Sequence, residues 1–144
     1  MNRTGKAPPV ELLSLLHTAY AAQAEIESKL GVVGLSLPKL LALKALADAG
    51  GSLPLGQLAD RLSCVKSNIT QLVDRLEADG FVARQPDPRD RRTRLAVLTA
   101  PGRKACQQGA RIQHDAEHEL LGTLTRDEAR QLAALLAKLG KSAG

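Results

Sequence analysis

Apolar residues recur at helical spacing through most of the chain and give way to short, partly alternating runs only between residues 81 and 98. Leu55, Leu58, Ala59 and Leu62 stand at i, i+3, i+4 and i+7, and Ile69, Leu72, Val73 and Leu76 repeat that spacing. Each set therefore lines one face of a short amphipathic helix. Only Ser63, Cys64 and Val65 separate the two sets, a turn of the length that joins the helices of a helix-turn-helix. Gly80 stops the second helix, as a glycine at C′ does. Phe81 to Gln85 and Thr93 to Leu98 then read as two strands around PDPRDRR, a hairpin whose tip carries charge and proline.

The flanks are helical. Pro8 and Pro9 suit the start of a helix reaching about Lys29, with Leu12, Leu13, Leu16, Ala19, Tyr20 and Ile26 inward. Its apolar arc, widened by Leu15, exceeds what a lone surface helix needs, which points to a second partner such as another subunit. Gly31 to Leu37 reads as a loop. Pro38 opens a helix to about Ala49, closed by Gly50-Gly51, that gives Leu40, Leu41, Leu43 and Leu46 to the core. Ser52 to Pro54 is a short connection able to pair with the hairpin as a third strand. Beyond the hairpin, Thr99 is an N-cap with Pro101 in the first turn, and that helix runs to about Leu121, ended by Gly122. Thr125 and Glu128 form a capping box for a last helix with the stripe Ala129, Leu132, Ala133, Leu136 and Leu139, ended by Gly140.

Composition narrows the class. A chain of 144 residues, 44% hydrophobic and 24% charged, is long enough to bury a core in one domain. Its aromatics are Tyr20 and Phe81 alone, so the core is built of Leu, Ala and Val. The longest apolar run, Leu132 to Ala137, is far too short to span a bilayer, and no apolar leader follows Met1, so a cytoplasmic protein is expected. Seven basic and two acidic residues lie between Arg84 and Lys104, which accounts for the whole net charge of +5. A basic cluster on a hairpin directly after a helix-turn-helix is a nucleic-acid footprint. Single-stranded RNA is usually gripped by aromatic stacking platforms, which this chain lacks. Double-stranded DNA is the expected partner.

The residues now assembled carry a resemblance. LADRLSCVKSNITQLVDRLEADGFVARQPDPRDRRTRLAVLT resembles the DNA-binding half of the multiple antibiotic resistance regulator (MarR) family. The likeness runs through the helix-turn-helix, the VDRLEADGFV junction, the D-x-R wing and the strand ending in LT, and the helical flanks extend it over nearly the whole chain. It implies a mainly α fold with a small β-wing. A winged helix-turn-helix DNA-binding lobe at 38–99 would be flanked by N- and C-terminal dimerisation helices at 1–37 and 100–144, in one domain over 1–144. Val65 stands where family members usually carry Ser before the basic start of the recognition helix, which leaves Ser63 as the candidate N-cap.

On the recognition helix the face opposite the apolar stripe centres on Ser67, Gln71 and Asp74, with Thr70 and Arg75 beside them and Lys66 and Asn68 at the margins. Amide and hydroxyl side chains suit base edges in the major groove, so Ser67, Thr70 and Gln71 are candidates for reading, Asn68 for an added contact and Lys66 for phosphate. Arg75 either joins this face or pairs with Asp74, Glu77 or Asp79. In the wing, Asp90 and Arg92 match the family's D-x-R pattern, and the resemblance implies one arginine entering a minor groove, whose narrow form attracts guanidinium. The adjacent aspartate could fix that side chain's rotamer. Arg89 and Arg91 could take the same role, and Asp87 and Asp90 read equally well as turn formers.

The other candidate chemistry is thinner. His114 and His118, at i and i+4 with Glu117 between, have zinc-ligand spacing, and some zinc-sensing family members carry two histidines on this helix. Only Glu25 and Glu27 would complete such a site here, so exposed histidines are the plainer reading and no metal or other cofactor is expected. His17 reads as a partly buried histidine, and His17 and Tyr20 are candidate lining for the effector pocket that the resemblance places against the first helix. Cys64, at the recognition helix N-terminus near Lys66, is placed where a thiol pKa falls, against the plainer reading of a small residue in a tight turn. Cys106 reads as packed in its helix. No Gly-rich phosphate loop, nucleophile elbow or catalytic dyad is present, so an enzyme is not expected. The expectation is a homodimeric regulator on an inverted-repeat operator, a repressor relieved by a small molecule. A redox (Cys64) or zinc (His114, His118) sensor on the same fold stays open, as does a winged-helix protein-interaction module that does not bind DNA.

Overall fold

A Leu-rich helix in the first third of the chain collects the other elements around it. The computed structural model describes residues 11–62 and 66–143, with the side chains of Lys66, Ser67, Ser142 and Ala143 outside that description. The elements run α1 (Leu12–Gly31), α2 (Leu37–Asp48), β1 (Ser52–Pro54), α3 (Leu55–Arg61), α4 (Lys66–Ala78), β2 (Val82–Asp87), β3 (Asp90–Leu98), α5 (Ala100–Leu121) and α6 (Arg126–Ala143). This is the winged helix-turn-helix architecture, mainly α with a small antiparallel sheet in the order β1-β3-β2. Pro8, Pro9, Ser63, Cys64 and Val65, to which sequence roles were given, lie outside the described residues.

α2 is the centre of the core. Leu40, Leu43 and Leu46 are fully buried, together with Leu30, Leu58, Val73 and Leu76. Leu41 was expected among them but is 45% exposed, because one residue is 100° of helix and carries it off the buried stripe. α5 crosses α2 at Gly109, where an added Cβ would stand 2.6 Å from Leu40 Cδ1 and 2.8 Å from Leu35 Cδ1. The helix start is set by Ser36, whose side chain accepts from the Lys39 N–H at 3.3 Å, with Pro38 in the first turn. Glu27 closes the loop before it by accepting from the Leu37 N–H at 2.8 Å.

The flanking helices depart from expectation. Leu12, Leu13, Leu16, Ala19 and Tyr20 of α1 are all exposed, and of the residues expected inward only Ile26 is half-buried. Leu30, at the far end, is the buried residue of this helix. On α6, Leu135, Leu136 and Leu139 are 58%, 51% and 53% exposed. Amphipathic spacing identifies an apolar face but does not say whether the same chain covers it. α6 does begin at its capping box, in which Thr125 and Glu128 exchange backbone-to-side-chain bonds of 3.2 Å, but it runs through Gly140 to Ala143.

The hairpin is longer than its apolar pattern. Pairing continues past Gln85↔Leu95 to Pro86↔Arg94, then shifts register to Asp87↔Asp90, so only Pro88 and Arg89 form the tip. Pro86 has no N–H to give the ladder, and the irregularity falls next to it. Ser52–Pro54 pairs with β3, Leu53 opposite Ala96, as the third strand.

Candidate nucleic-acid interface

The recognition helix α4 turns Ile69, Val73 and Leu76 into the core and leaves Asn68, Thr70, Gln71, Asp74 and Arg75 exposed. Gly80 ends it at φ +79°. The Phe81 N–H donates to the Leu76 carbonyl at 2.9 Å and the Gly80 N–H to the Glu77 carbonyl at 3.0 Å, the paired bonds of a Schellman stop. The chain then enters the wing directly.

One side chain locks the two parts together. Arg84, on β2, pairs with Asp74 Oδ1 at 2.6 Å and Glu77 Oε1 at 3.2 Å, and donates to the Thr70 carbonyl at 3.2 Å. Its backbone N–H donates to Glu77 Oε2 at 3.0 Å. Thr70, Asp74 and Glu77 follow helical spacing along one side of α4, so the strand is fastened beside the exposed face. From the sequence alone Arg84 is one more positive charge. Its signal was present in Asp74 and Glu77, two carboxylates one turn apart that need a cation from across the turn. Asp79 is taken by Lys39 of α2 at 2.6 Å. All three acids offered to Arg75 are thus engaged elsewhere, and Arg75 makes no ion pair among the described residues.

In the wing, Arg89, Arg91, Arg92 and Arg94 are exposed. Asp87 accepts from the Arg89 N–H at 2.9 Å, and Asp90 accepts from the Arg92 N–H at 3.0 Å and the Thr93 hydroxyl at 3.3 Å. Asp90 therefore shapes the backbone of its own strand and does not clamp the Arg92 guanidinium, which corrects the rotamer-fixing role expected of it. Both aspartates act as turn formers, since a short carboxylate two residues back reaches a backbone N–H more easily than an arginine tip.

Behind this surface, a cavity of about 390 Å³ opens between α1 and α5. Its apolar wall is Ala19, Ala22 and Ile26 from α1, with Ala116, Leu120 and Leu121 from α5. Leu37, the first residue of α2, reaches it, and the polar positions are Gln23, Glu25, Gln113 and Glu117. His17 and Tyr20 do not line it; both sit exposed on α1, and the partial burial expected of His17 is not found. Ala19, Ala22, Gln23 and Ile26, spaced i, i+3, i+4 and i+7 on the same helix, do the lining instead. Gln113 donates to Glu117 at 2.9 Å and accepts from Lys44 at 3.0 Å. Lys29 reaches Glu119 and, at 3.5 Å, Glu25; the hydrogen bond to Glu119 holds its ammonium above the ordinary lysine value.

His114 and His118 are exposed and meet edge to face, ring centres 4.7 Å apart. Among the described residues no three His, Cys, Asp or Glu side chains gather to hold a metal. Cys106 is buried, as expected, and burial pushes its thiol up against the opposing pull of Lys44. No helix among the described residues is long and apolar enough to cross a membrane.

A helix-turn-helix with a fastened, arginine-tipped wing defines a winged-helix DNA-binding protein. Residues 35–93 match the family model for the MarR family. The chain is 30% identical over 137 residues to the HTH-type transcriptional repressor Rv2887 of Mycobacterium tuberculosis, spanning 94% of this chain and 98% of that protein. It superposes on a mutant MarR from Escherichia coli complexed with operator DNA with a TM-score of 0.81 at 28% identity, over 90% of this chain and 94% of that one. A structure of Bordetella bronchiseptica BpsR, whose DNA binding is regulated by 6-hydroxynicotinic acid, matches with a TM-score of 0.76 at 25% identity, over 88% and 96% of the two chains. The chain belongs to the MarR family and is a DNA-binding transcriptional regulator.

Proposed function

We propose that the protein is a cytoplasmic homodimeric repressor that holds an inverted-repeat operator and leaves it when a small molecule enters the α1–α5 cavity. The observation that carries this reading is the joint between cavity and recognition helix. Leu37 lines the cavity, and Lys39, two residues along the same helix, is paired with Asp79 just past the end of α4. A ligand that spreads α1 from α5 therefore acts on the helix that grips the reading element. Operator binding needs two recognition helices one duplex turn apart, about 34 Å. A ligand that weakens binding 100-fold by favouring another spacing needs roughly 2.7 kcal/mol of differential affinity. Repression is in keeping with the relative Rv2887, itself named a repressor.

In this reading residues 38–99 form the DNA-binding lobe, and 1–37 with 100–144 supply the dimer. Ser67, Thr70 and Gln71 meet base edges, with Asn68 as an added contact. Lys66 and Arg75 meet phosphate, and one of Arg89, Arg91 and Arg92 enters the minor groove on a turn shaped by Asp90. The role is regulatory, with no catalysis. Selection of bound fragments from random duplex DNA tests it: an inverted repeat with half-sites one turn apart is expected, and failure to enrich any duplex would refute it.

A further inference from the structure

We infer that the effector accepted by the α1–α5 cavity is a lipophilic cation, a protonated amine on an apolar body. The inference rests on the reading that this cavity is the effector site. A volume of about 390 Å³ lies in the range of small-molecule pockets, which are mostly apolar with a few polar groups fixing orientation. Here the amides Gln23 and Gln113 are neutral, and both charged groups are acceptors. Glu25 and Glu117 line the cavity, and no Lys, Arg or His does.

The two nearby lysines are already engaged at the wall, Lys44 on Gln113 and Lys29 on Glu119 with a longer contact to Glu25, which leaves Glu117 as the lining carboxylate without a cation among the described residues. Gln113 has committed its amide in both directions, its oxygen to Lys44 and its nitrogen to Glu117. Glu117 receives that one neutral N–H, which leaves most of its acceptor capacity open. A carboxylate ligand would meet the unpaired charge of Glu117 and find no cation among the lining side chains. A neutral ligand would lose its water and gain ordinary hydrogen bonds. An ammonium donates up to three N–H groups, and charge-assisted bonds to carboxylate are the stronger kind. The cavity also has no aromatic lining, so the cation would be recognised through its N–H groups and not over a ring face.

Isothermal titration of the full chain with 4-phenylbutylammonium, 4-phenylbutanol and 4-phenylbutyrate tests this, since the three share one apolar body. The amine should bind about tenfold tighter than the alcohol, and the carboxylate weakest of all. Glu117→Gln should bring the amine down to the alcohol's affinity and leave the alcohol unchanged. Carboxylate or alcohol binding as tightly as the amine overturns the inference, as does an amine preference that survives in both Glu117→Gln and Glu25→Gln. Ala19→Trp and Ala22→Trp, each filling the cavity from α1, separate the two levels. If they abolish binding of a preferred alcohol or carboxylate, the cavity stands as the site and only the charge preference falls. If no probe binds the parent chain, or binding persists in both fillers, the cavity reading falls as well.

Discussion

The Thr99 hydroxyl donates to the Gly80 carbonyl at 2.7 Å. The same oxygen caps α5 by accepting from the Gly102 N–H at 3.1 Å. A single side chain thus ties the stop of the recognition helix to the start of the helix that walls the cavity. Thr99→Val keeps the shape and removes both bonds, and urea unfolding should show a loss of about 1–2 kcal/mol, the usual cost of a lost cap. Thr99→Ser should recover most of it.

Gly102 lies in the same joint, where an added Cβ would fall 2.0 Å from the Phe81 carbonyl oxygen. Gly102→Ala must push backbone apart and should cost about 1–3 kcal/mol, as overpacking does. An unchanged denaturation midpoint would contradict the close approach.

Arg84→Met tests the fastening of the wing. Partly exposed ion pairs contribute about 0–1 kcal/mol each, so thermal stability should fall only slightly. DNA binding should fall more, by about tenfold at low salt, because the strand loosens and Asp74 and Glu77 are left uncompensated beside the phosphates. Operator and random duplex should lose equally. A loss confined to the operator would mean that Arg84 reads bases.

Positioning and reading separate by salt. Replacing one phosphate-contacting arginine among Arg89, Arg91 and Arg92 with Ala should flatten the dependence of log K on log salt by about 1 per subunit. Gln71→Ala should cost roughly 1–3 kcal/mol on the operator, relax one base position and leave the slope alone. The opposite pattern in fluorescence-anisotropy titrations would reverse the two assignments.

Cys106 supplies the pH prediction. Its folded thiol titrates above the ordinary value, mainly because it is buried. Its contribution to stability is therefore intact below the unfolded thiol value and is lost as pH rises past it towards the folded one. Stability should decline in the alkaline range, and less so in Cys106→Ala once that variant's own packing loss is subtracted. In a Cys64→Ser background iodoacetamide should react with Cys106 at the rate of unfolding or local opening, far below the rate of a free thiol. Rapid native-state alkylation would contradict its burial.

The parts legible in the sequence were those set by local rules. The two helices of the helix-turn-helix, the Thr99 and Thr125 caps and the glycine stop at Gly80 follow from spacing and turn chemistry within a few residues. What escaped depends on partners distant in sequence. The face of α1 that lines the cavity shares Ala19 and Ile26 with the apolar pattern but adds Ala22, Gln23 and Glu25, whereas the Leu and Tyr positions of that pattern stay exposed. Pairing in β3 starts at Asp90, in a stretch too charged to read as strand, because the backbone ladder is indifferent to what exposed side chains carry. Arg84 looked like one more cation until the fold placed it across the helix.

The register shift beside Pro86 divides the wing into a base bolted to the recognition helix and a short outer hairpin shaped by Asp87 and Asp90. Substitutions in the outer piece can accumulate without re-aiming the helix. Descendants of such a protein can therefore change their taste for the sequences bordering an operator while keeping its core, one binding site diverging at two separate speeds.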